Sequence, residues 1–243
     1  MAHRKDFRNS IRSVFRDIDL PLFAAVAAIS LFGVVNMYGI VGPGLLLTKH
    51  LIFVAIGLGL MLFLSFFNYR YLKNYSFPVL TLYFLSLFLL LLTFYSQSVR
   101  GVNAWIVLGQ FTFEPAELAK LALIIVMAKY FSQRHVHINQ LKYIVIAGIY
   151  FILPVVIMLA QPDLGSAIVL SLIWLGMLLA AGITKKHLFL LLILAVVVSY
   201  GAWVGVLKPY QKERLVSFVN PGADPLGTGY NLIQSQIAIG SGH

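Results

Sequence analysis

The chain has 243 residues, of which 60% are hydrophobic and only 11% charged, with a formal net charge of +10 and no cysteine. A soluble domain carries charge on about a quarter of its residues, so that class is excluded. Without cysteine, neither a disulfide framework nor a thiolate metal site can be built. In chain order, residues 1–19, MAHRKDFRNSIRSVFRDID, form a basic flank that is too polar and lacks the apolar core of a cleavable signal peptide. Its Arg4, Lys5, Arg8, Arg12 and Arg16 read as a cytoplasmic anchor before a first span rather than a nucleic-acid footprint.

Apolar runs about 20 residues long, enough to cross a bilayer, then recur along the chain. They predict an all-α, polytopic bundle over residues 20–207, with seven spans at 20–41, 47–67, 75–95, 114–131, 143–160, 164–182 and 187–207. A last segment, 208–243, reads as an extracytoplasmic loop leading into the next helical segment. NYRYLKN, SQRHVHINQLK and TKKH carry Arg70, Lys73, Arg134, Lys142, Lys185 and Lys186, whereas connections 42–46 and 161–163 carry no Lys or Arg. The two longer connections on that second side carry Arg100 in one and Lys208, Lys212 and Arg214 in the other. The positive-inside rule therefore places the N-terminus in the cytoplasm and 208–243 outside. The same asymmetry predicts a preference for anionic inner-leaflet lipid.

The acids sharpen this picture. Of eight Asp and Glu, three (Asp6, Asp17 and Asp19) lie in the flank; the others are Glu114, Glu117, Asp163, Glu213 and Asp224. On the predicted topology all five lie at outer ends of spans or in outer loops. Acids near a membrane are costly and mark sites or pathways, so the pattern points to an outward-facing polar cavity. The plainer reading is that some are helix caps and interfacial anchors.

Each acid has local chemistry. Pro115 sits early in the fourth span, where its missing N–H costs nothing, and Glu114 and Glu117 suit the positive end of that helix. Glu117 and Lys120 share a face, so an ion pair would lower the cost of an ammonium one turn inside the membrane. That pair either holds helices together or lines the cavity. In QPDLGSA, Asp163 is placed to cap the sixth span, while Gly165 and Ser166 permit close helix packing. In NPGADPLGTGYNLIQSQ, Pro221, Pro225, Gly222, Gly227 and Gly229 enforce turns around Asp224. Asp224 there is either a solvated turn residue or a reacting group.

Three blocks carry a resemblance: GVNAWIVLGQFTFEPAELAKLALI, AQPDLGSAIV and KPYQKERLVSFVNPGADPLGTGYNLIQSQIAIGSG. In this order and spacing the chain resembles the SEDS family (shape, elongation, division and sporulation), membrane glycosyltransferases that polymerise peptidoglycan. The wording of the third block is closer to the rod-elongation branch. The sequence departs from the family in placing Ala104 before Trp105, where an Arg is usual, and in writing EPAELAK for QPSELAK, with Glu114 for Gln and Ala116 for Ser. Family members have about ten spans, so the chain resembles the first two-thirds of such an enzyme.

The resemblance implies a bacterial cytoplasmic-membrane enzyme acting on lipid II, a disaccharide-peptide on undecaprenyl pyrophosphate, during cell elongation. Asp224 matches the family's essential outer-loop aspartate; it would deprotonate the acceptor hydroxyl or hold a Mg²⁺ or Mn²⁺ ion. Trp105, Glu117, Lys120, Lys208, Arg214, Tyr230 and Gln234 are the expected substrate or cavity-lining residues. Glu114, Pro115, Asp163, Gly165, Pro221, Gly227 and Gly229 are expected to shape the motifs. Expected partners are a class B penicillin-binding protein transpeptidase, the elongation machinery and membrane lipid, with no nucleic acid. Two other functions fit the composition: a lipid II flippase and a scaffold that only recruits the transpeptidase. A flippase needs a sealed bilayer; a scaffold tolerates changes in the Asp224 loop.

Overall fold

The computed structural model describes residues 19–96, 104–109, 111–134, 140–220, 222, 224, 225, 227 and 229–241. These residues fall into two compact units, Met1–Tyr75 and Ser76–His243. In the first, α1 (Leu20–Val41) is capped by Asp19, whose Oδ1 accepts the Leu22 N–H at 3.1 Å. It packs against α2 (Leu45–Ser65), and a short α3 (Arg70–Asn74) follows. No described residue of these three helices is buried. Side chains such as Ile40, 75% exposed, would be intolerable in water and belong against lipid.

The second unit holds the core. Helix α4 (Ser76–Leu92) tightens into a 3₁₀ turn at Thr93–Tyr95. A two-stranded hairpin, β1 (Ile106–Leu108) and β2 (Phe111–Phe113), pairs antiparallel, with Ile106 opposite Phe113 and Gly109 supplying a φ of 61° in the turn. Then come α5 (Pro115–Arg134), α6 (Leu141–Ala160) and α7 (Leu164–Ala180). Helix α8 (Lys185–Gly201) runs on through a π-helical turn, Ala202–Val206. Two helices close the described chain, α9 (Pro209–Val219) and α10 (Tyr230–Ser241).

Helix α5 is central, packing on α4, α6 and α7. It does so through Ala116, Ala119, Ala122, Leu123, Val126 and Met127, all buried, on one 3.6-period stripe. Small side chains on that stripe let the backbones approach closely, which is how helices associate when lipid is as apolar as leucine. Polar ties add to this packing. The Tyr83 hydroxyl on α4 donates to the Tyr150 carbonyl on α6 at 2.7 Å, and Phe151 stacks on Trp174 of α7 at 4.6 Å.

The seven expected spans all appear as helices, with ends moved by a few residues. Five are long and apolar enough to cross a membrane by themselves: Leu20–Val41, Leu45–Ser65, Ser76–Tyr95, Leu141–Ala160 and Lys185–Gly205. The other two are α7, which has only 17 residues, and α5, which carries Glu117, Lys120 and Lys129. Those two pack on each other, and α5 spends much of its surface on protein rather than lipid. Two features differ from the sequence reading. The hairpin was not expected, and the stretch after 207, read as a loop, contains α9. Pro209 at its start and Gln211, whose Oε1 accepts the Lys208 N–H at 3.0 Å, satisfy the first turn of that helix.

Candidate active site

The hairpin register carries on past the strands, setting Trp105 opposite Glu114. The Trp105 indole N–H donates to Glu114 Oε2 at 3.0 Å. Glu114 is the residue before α5, and its backbone carbonyl accepts the Glu117 N–H. Asp163 caps α7 as expected, its Oδ1 accepting the Ser166 N–H at 3.1 Å. Its Oδ2 is buried without a protein partner. Gln211, only 7% exposed, comes from the first turn of α9.

These side chains meet around a cavity of about 350 Å³ lined by Trp105, Glu114, Asp163, Gly165, Gln211 and Leu215, among others. Three helix N-termini, those of α5, α7 and α9, contribute to its wall, and their dipoles favour negative charge there. Glu114 stands ahead of α5, outside the spanning helices, and its carboxyl is nonetheless pushed above the ordinary carboxylate range. Burial is the largest cause, then repulsion from Asp163 and Glu117; the Trp105 hydrogen bond and Lys120 act in the opposite direction. A carboxyl that holds its proton more readily is suited to donating or relaying a proton.

The other expected residues are placed differently. Lys120 Nζ meets Glu117 Oε1 at 2.7 Å, so the predicted ion pair forms. Neither residue is among the described lining of the cavity, because Glu117 points to the exposed side of α5, its side chain 65% exposed against 16% for Lys120. Lys208 is exposed at the N-cap of α9, and the Lys212 ammonium lies 5.8 Å from the Trp203 ring centre. Arg214 falls on α9 and its side chain lies outside the described part. Tyr230 and Gln234 are exposed one turn apart on α10.

Asp224 is exposed in a tight turn. Its Oδ1 accepts the Gly227 N–H at 3.0 Å, and its backbone carbonyl accepts the Gly229 N–H at 3.0 Å. A Cβ at 227 would lie 2.7 Å from the Asp224 Cγ and 2.8 Å from Oδ1, so only glycine leaves room for this carboxylate. Gly229 is buried at the start of α10, whereas Pro221 lies outside the described residues. Asp224 is not among the cavity's described lining residues. Among the described residues no group of three His, Cys, Asp or Glu could hold a metal. One carboxylate suits Mg²⁺ only in the manner that leaves most positions to water and substrate phosphate.

Sequence reasoning missed Gln161 and Gln211. Gln211 had a weak signal, a Gln three residues after the position preceding Pro209, the spacing of a capping box. Gln161 had none beyond its place in QPDLGSA.

The profile of the FtsW, RodA and SpoVE family, described as "Cell cycle protein", matches residues 13–243. The chain is 36% identical to the probable peptidoglycan glycosyltransferase FtsW of Aeromonas salmonicida over 202 residues, 82% of this chain and 50% of that one. It is 36% identical to the peptidoglycan glycosyltransferase MrdB of Escherichia coli K12 over 143 residues, 59% of this chain and 38% of that one. Among solved structures, one described as "Structural coordination of polymerization and crosslinking by a peptidoglycan synthase complex" superposes with a TM-score of 0.74 at 35% identity, covering 91% of this chain and 65% of that chain. Rod shape determining protein RodA of Thermus thermophilus gives 0.63 at 31% identity, covering 74% of this chain and 59% of that one. The chain thus spans about half the length of the curated relatives it matches. With its apolar spans, it is an integral protein of the cytoplasmic membrane, and it belongs to the FtsW/RodA/SpoVE family.

Proposed function

We propose that the protein polymerises lipid II into β-1,4-linked glycan at the outer face of the cytoplasmic membrane. The observation that carries this is the Asp224 turn, an exposed carboxylate fixed by Gly227 in a chain whose relatives are named peptidoglycan glycosyltransferases. In the reaction, the acceptor sugar's 4-hydroxyl oxygen bonds to C1 of the donor sugar while the C1–O bond to pyrophosphate breaks. Undecaprenyl pyrophosphate leaves, the α-linked donor becomes a β-linkage, and Asp224 takes the hydroxyl proton. Lys208, Lys212 and Arg214 supply the positive field for the pyrophosphate. The alternative role for Asp224 is to hold a divalent cation, Mg²⁺ or Mn²⁺, which would supply Lewis-acid assistance to the leaving group.

We assign the work to cell elongation on the wording of the third sequence block, supported by the likeness to MrdB and RodA. The longer match to FtsW favours a second reading, in which the same chemistry serves division. Likeness to a peptidoglycan synthase complex supports a class B penicillin-binding protein as partner.

Purified full chain should convert lipid II to polymer in detergent, and chelation should slow it. Transport of lipid II across sealed vesicles without polymer would establish the flippase instead. Full complementation by variants of the Asp224 loop would establish the scaffold.

A further inference from the structure

The turn between α6 and α7 contains a buried polar group that packing does not explain. Gln161 is 1% exposed, and its Nε2 donates to the Leu90 carbonyl at 2.6 Å, across 71 residues of sequence. The same carbonyl accepts the Thr93 hydroxyl at 2.8 Å, and Thr93 is wholly buried. Leu90 lies in the last turn of α4, where a helix carbonyl has no partner of its own and two lone pairs to satisfy. The amide can sit only one way round, because its oxygen would face the Leu90 oxygen if flipped. Gln161 Oε1 is therefore left buried without a protein partner. A methionine of similar volume would fill the space without that penalty.

What the bond secures lies two residues on. Asp163 N–H closes the turn on the Met158 carbonyl at 2.9 Å, and Asp163, whose Oδ2 is buried without a protein partner, lines the same cavity as Glu114. We infer that Gln161 is a positioning residue: by tying the α6–α7 turn to the Leu90 carbonyl, it fixes the Asp163 carboxylate in the cavity. The inference rests on the proposed glycosyl transfer for its kinetic effect but not for its geometry.

The test uses the full chain in detergent with purified lipid II, comparing Gln161→Met and Gln161→Glu, each alone and combined with Asp163→Asn. Gln161→Met should keep its thermal midpoint yet lose about tenfold or more in kcat/KM, the scale of a small misplacement, and displace the pH profile. In the Asp163→Asn background the same change should add almost nothing. Gln161→Glu should approach wild-type rate at acid pH, where its neutral carboxyl donates to Leu90, and fail as pH rises. A wild-type rate and pH profile for Gln161→Met, or an equal further loss beside Asp163→Asn, overturns the inference. So does loss of both single variants from the membrane, which would make Gln161 structural only.

A second reading needs no activity. The thiol of Asp163→Cys should change its rate of reaction with a soluble maleimide severalfold when Gln161→Met is added, while that of Lys208→Cys stays constant. If wild type makes no glycan but this thiol effect is seen, the proposed function fails and the positioning role stands. An unchanged thiol rate overturns the positioning role.

Discussion

Trp105 and Glu114 face each other across the β-hairpin, and the indole N–H donates to the carboxyl oxygen at 3.0 Å. The contact involves one of the three positions at which the sequence departs from the family it resembles, Glu114, and lies next to a second, Ala104. Ala104, where an Arg is usual, is buried beside Trp105, and Glu114, where a Gln is usual, lines the cavity with Asp163. The usual amide would accept the same indole hydrogen without bringing a second negative charge towards Asp163.

That difference predicts a pH effect. The folded state raises the Glu114 pKa, chiefly by burial and secondarily through Asp163. The fold therefore binds a proton more tightly than the unfolded chain, and stability falls as pH rises through the window from the ordinary carboxyl value to the raised one. Glu114→Gln should consequently raise the thermal midpoint at neutral pH, and the gain should vanish below the ordinary carboxyl range. Melting curves in detergent across pH check this; an equal gain at every pH would rule out the charge as its cause.

How much of this was legible follows from the kind of signal involved. Helix positions could be read because apolar runs of fixed length depend on the bilayer and not on tertiary contacts. The Asp163 cap and the Glu117–Lys120 pair were readable because they lie within four residues. A polar cavity was expected from the acids, but the set that lines this one was not readable, because Trp105, Asp163 and Gln211 meet only once α5, α7 and α9 bring their starts together. WIVLGQFTF is rich in β-branched and aromatic residues and carries a glycine turn, so the hairpin had a signal, but its strands are three residues each, and the surrounding hydropathy obscured it. Gln161 could not be found at all, since its partner is 71 residues away.

The ion pair should be asymmetric. Lys120 is the sheltered half and Glu117 the exposed half, so the pair lies between a buried and a surface salt bridge. Removing Lys120 leaves Glu117 and Glu114 with less compensation, whereas removing Glu117 leaves an ammonium that still has Glu114 nearby. Lys120→Ala should cost about 1–3 kcal/mol and Glu117→Ala about 1 kcal/mol or less. Urea or thermal unfolding of both variants in detergent gives the comparison; equal losses would mean that the pair is enclosed by something else.

Orientation has a structural argument of its own. Lys185 and Lys186 open α8, where two cations oppose the positive end of the helix dipole. The Thr184 hydroxyl and His187 Nδ1 lie 2.8 Å apart at the same helix start. Charges that disfavour their own helix suit an anionic inner leaflet, so this end should face the cytoplasm. A cysteine at 185 should resist an impermeant thiol reagent in intact cells and react after permeabilisation. Labelling in intact cells would reverse the topology and place Asp224 on the wrong side for extracytoplasmic chemistry.

Asp224 and Gly227 supply the most direct test of the mechanism. Asp224→Asn keeps the side-chain oxygen that accepts the Gly227 N–H and removes only the charge, so the turn should persist. General-base loss alone is worth about 10²–10⁴-fold, and polymer formation should fall by that much or more. Gly227→Ala keeps the charge but places a methyl group within 3 Å of the carboxylate, at 2.7 Å from Cγ. The carboxylate must then turn away, and a displaced base should cost about 10²-fold. Both residues are exposed, so neither change removes core packing, and both variants should accumulate in the membrane at wild-type level. Initial rates of glycan formation from lipid II, with Mg²⁺ or Mn²⁺ present and then chelated, distinguish the outcomes. If Asp224→Asn polymerises near the wild-type rate, Asp224 is not the base. If it fails while Gly227→Ala is normal, the carboxylate acts from a position other than the one the Gly227 turn gives it.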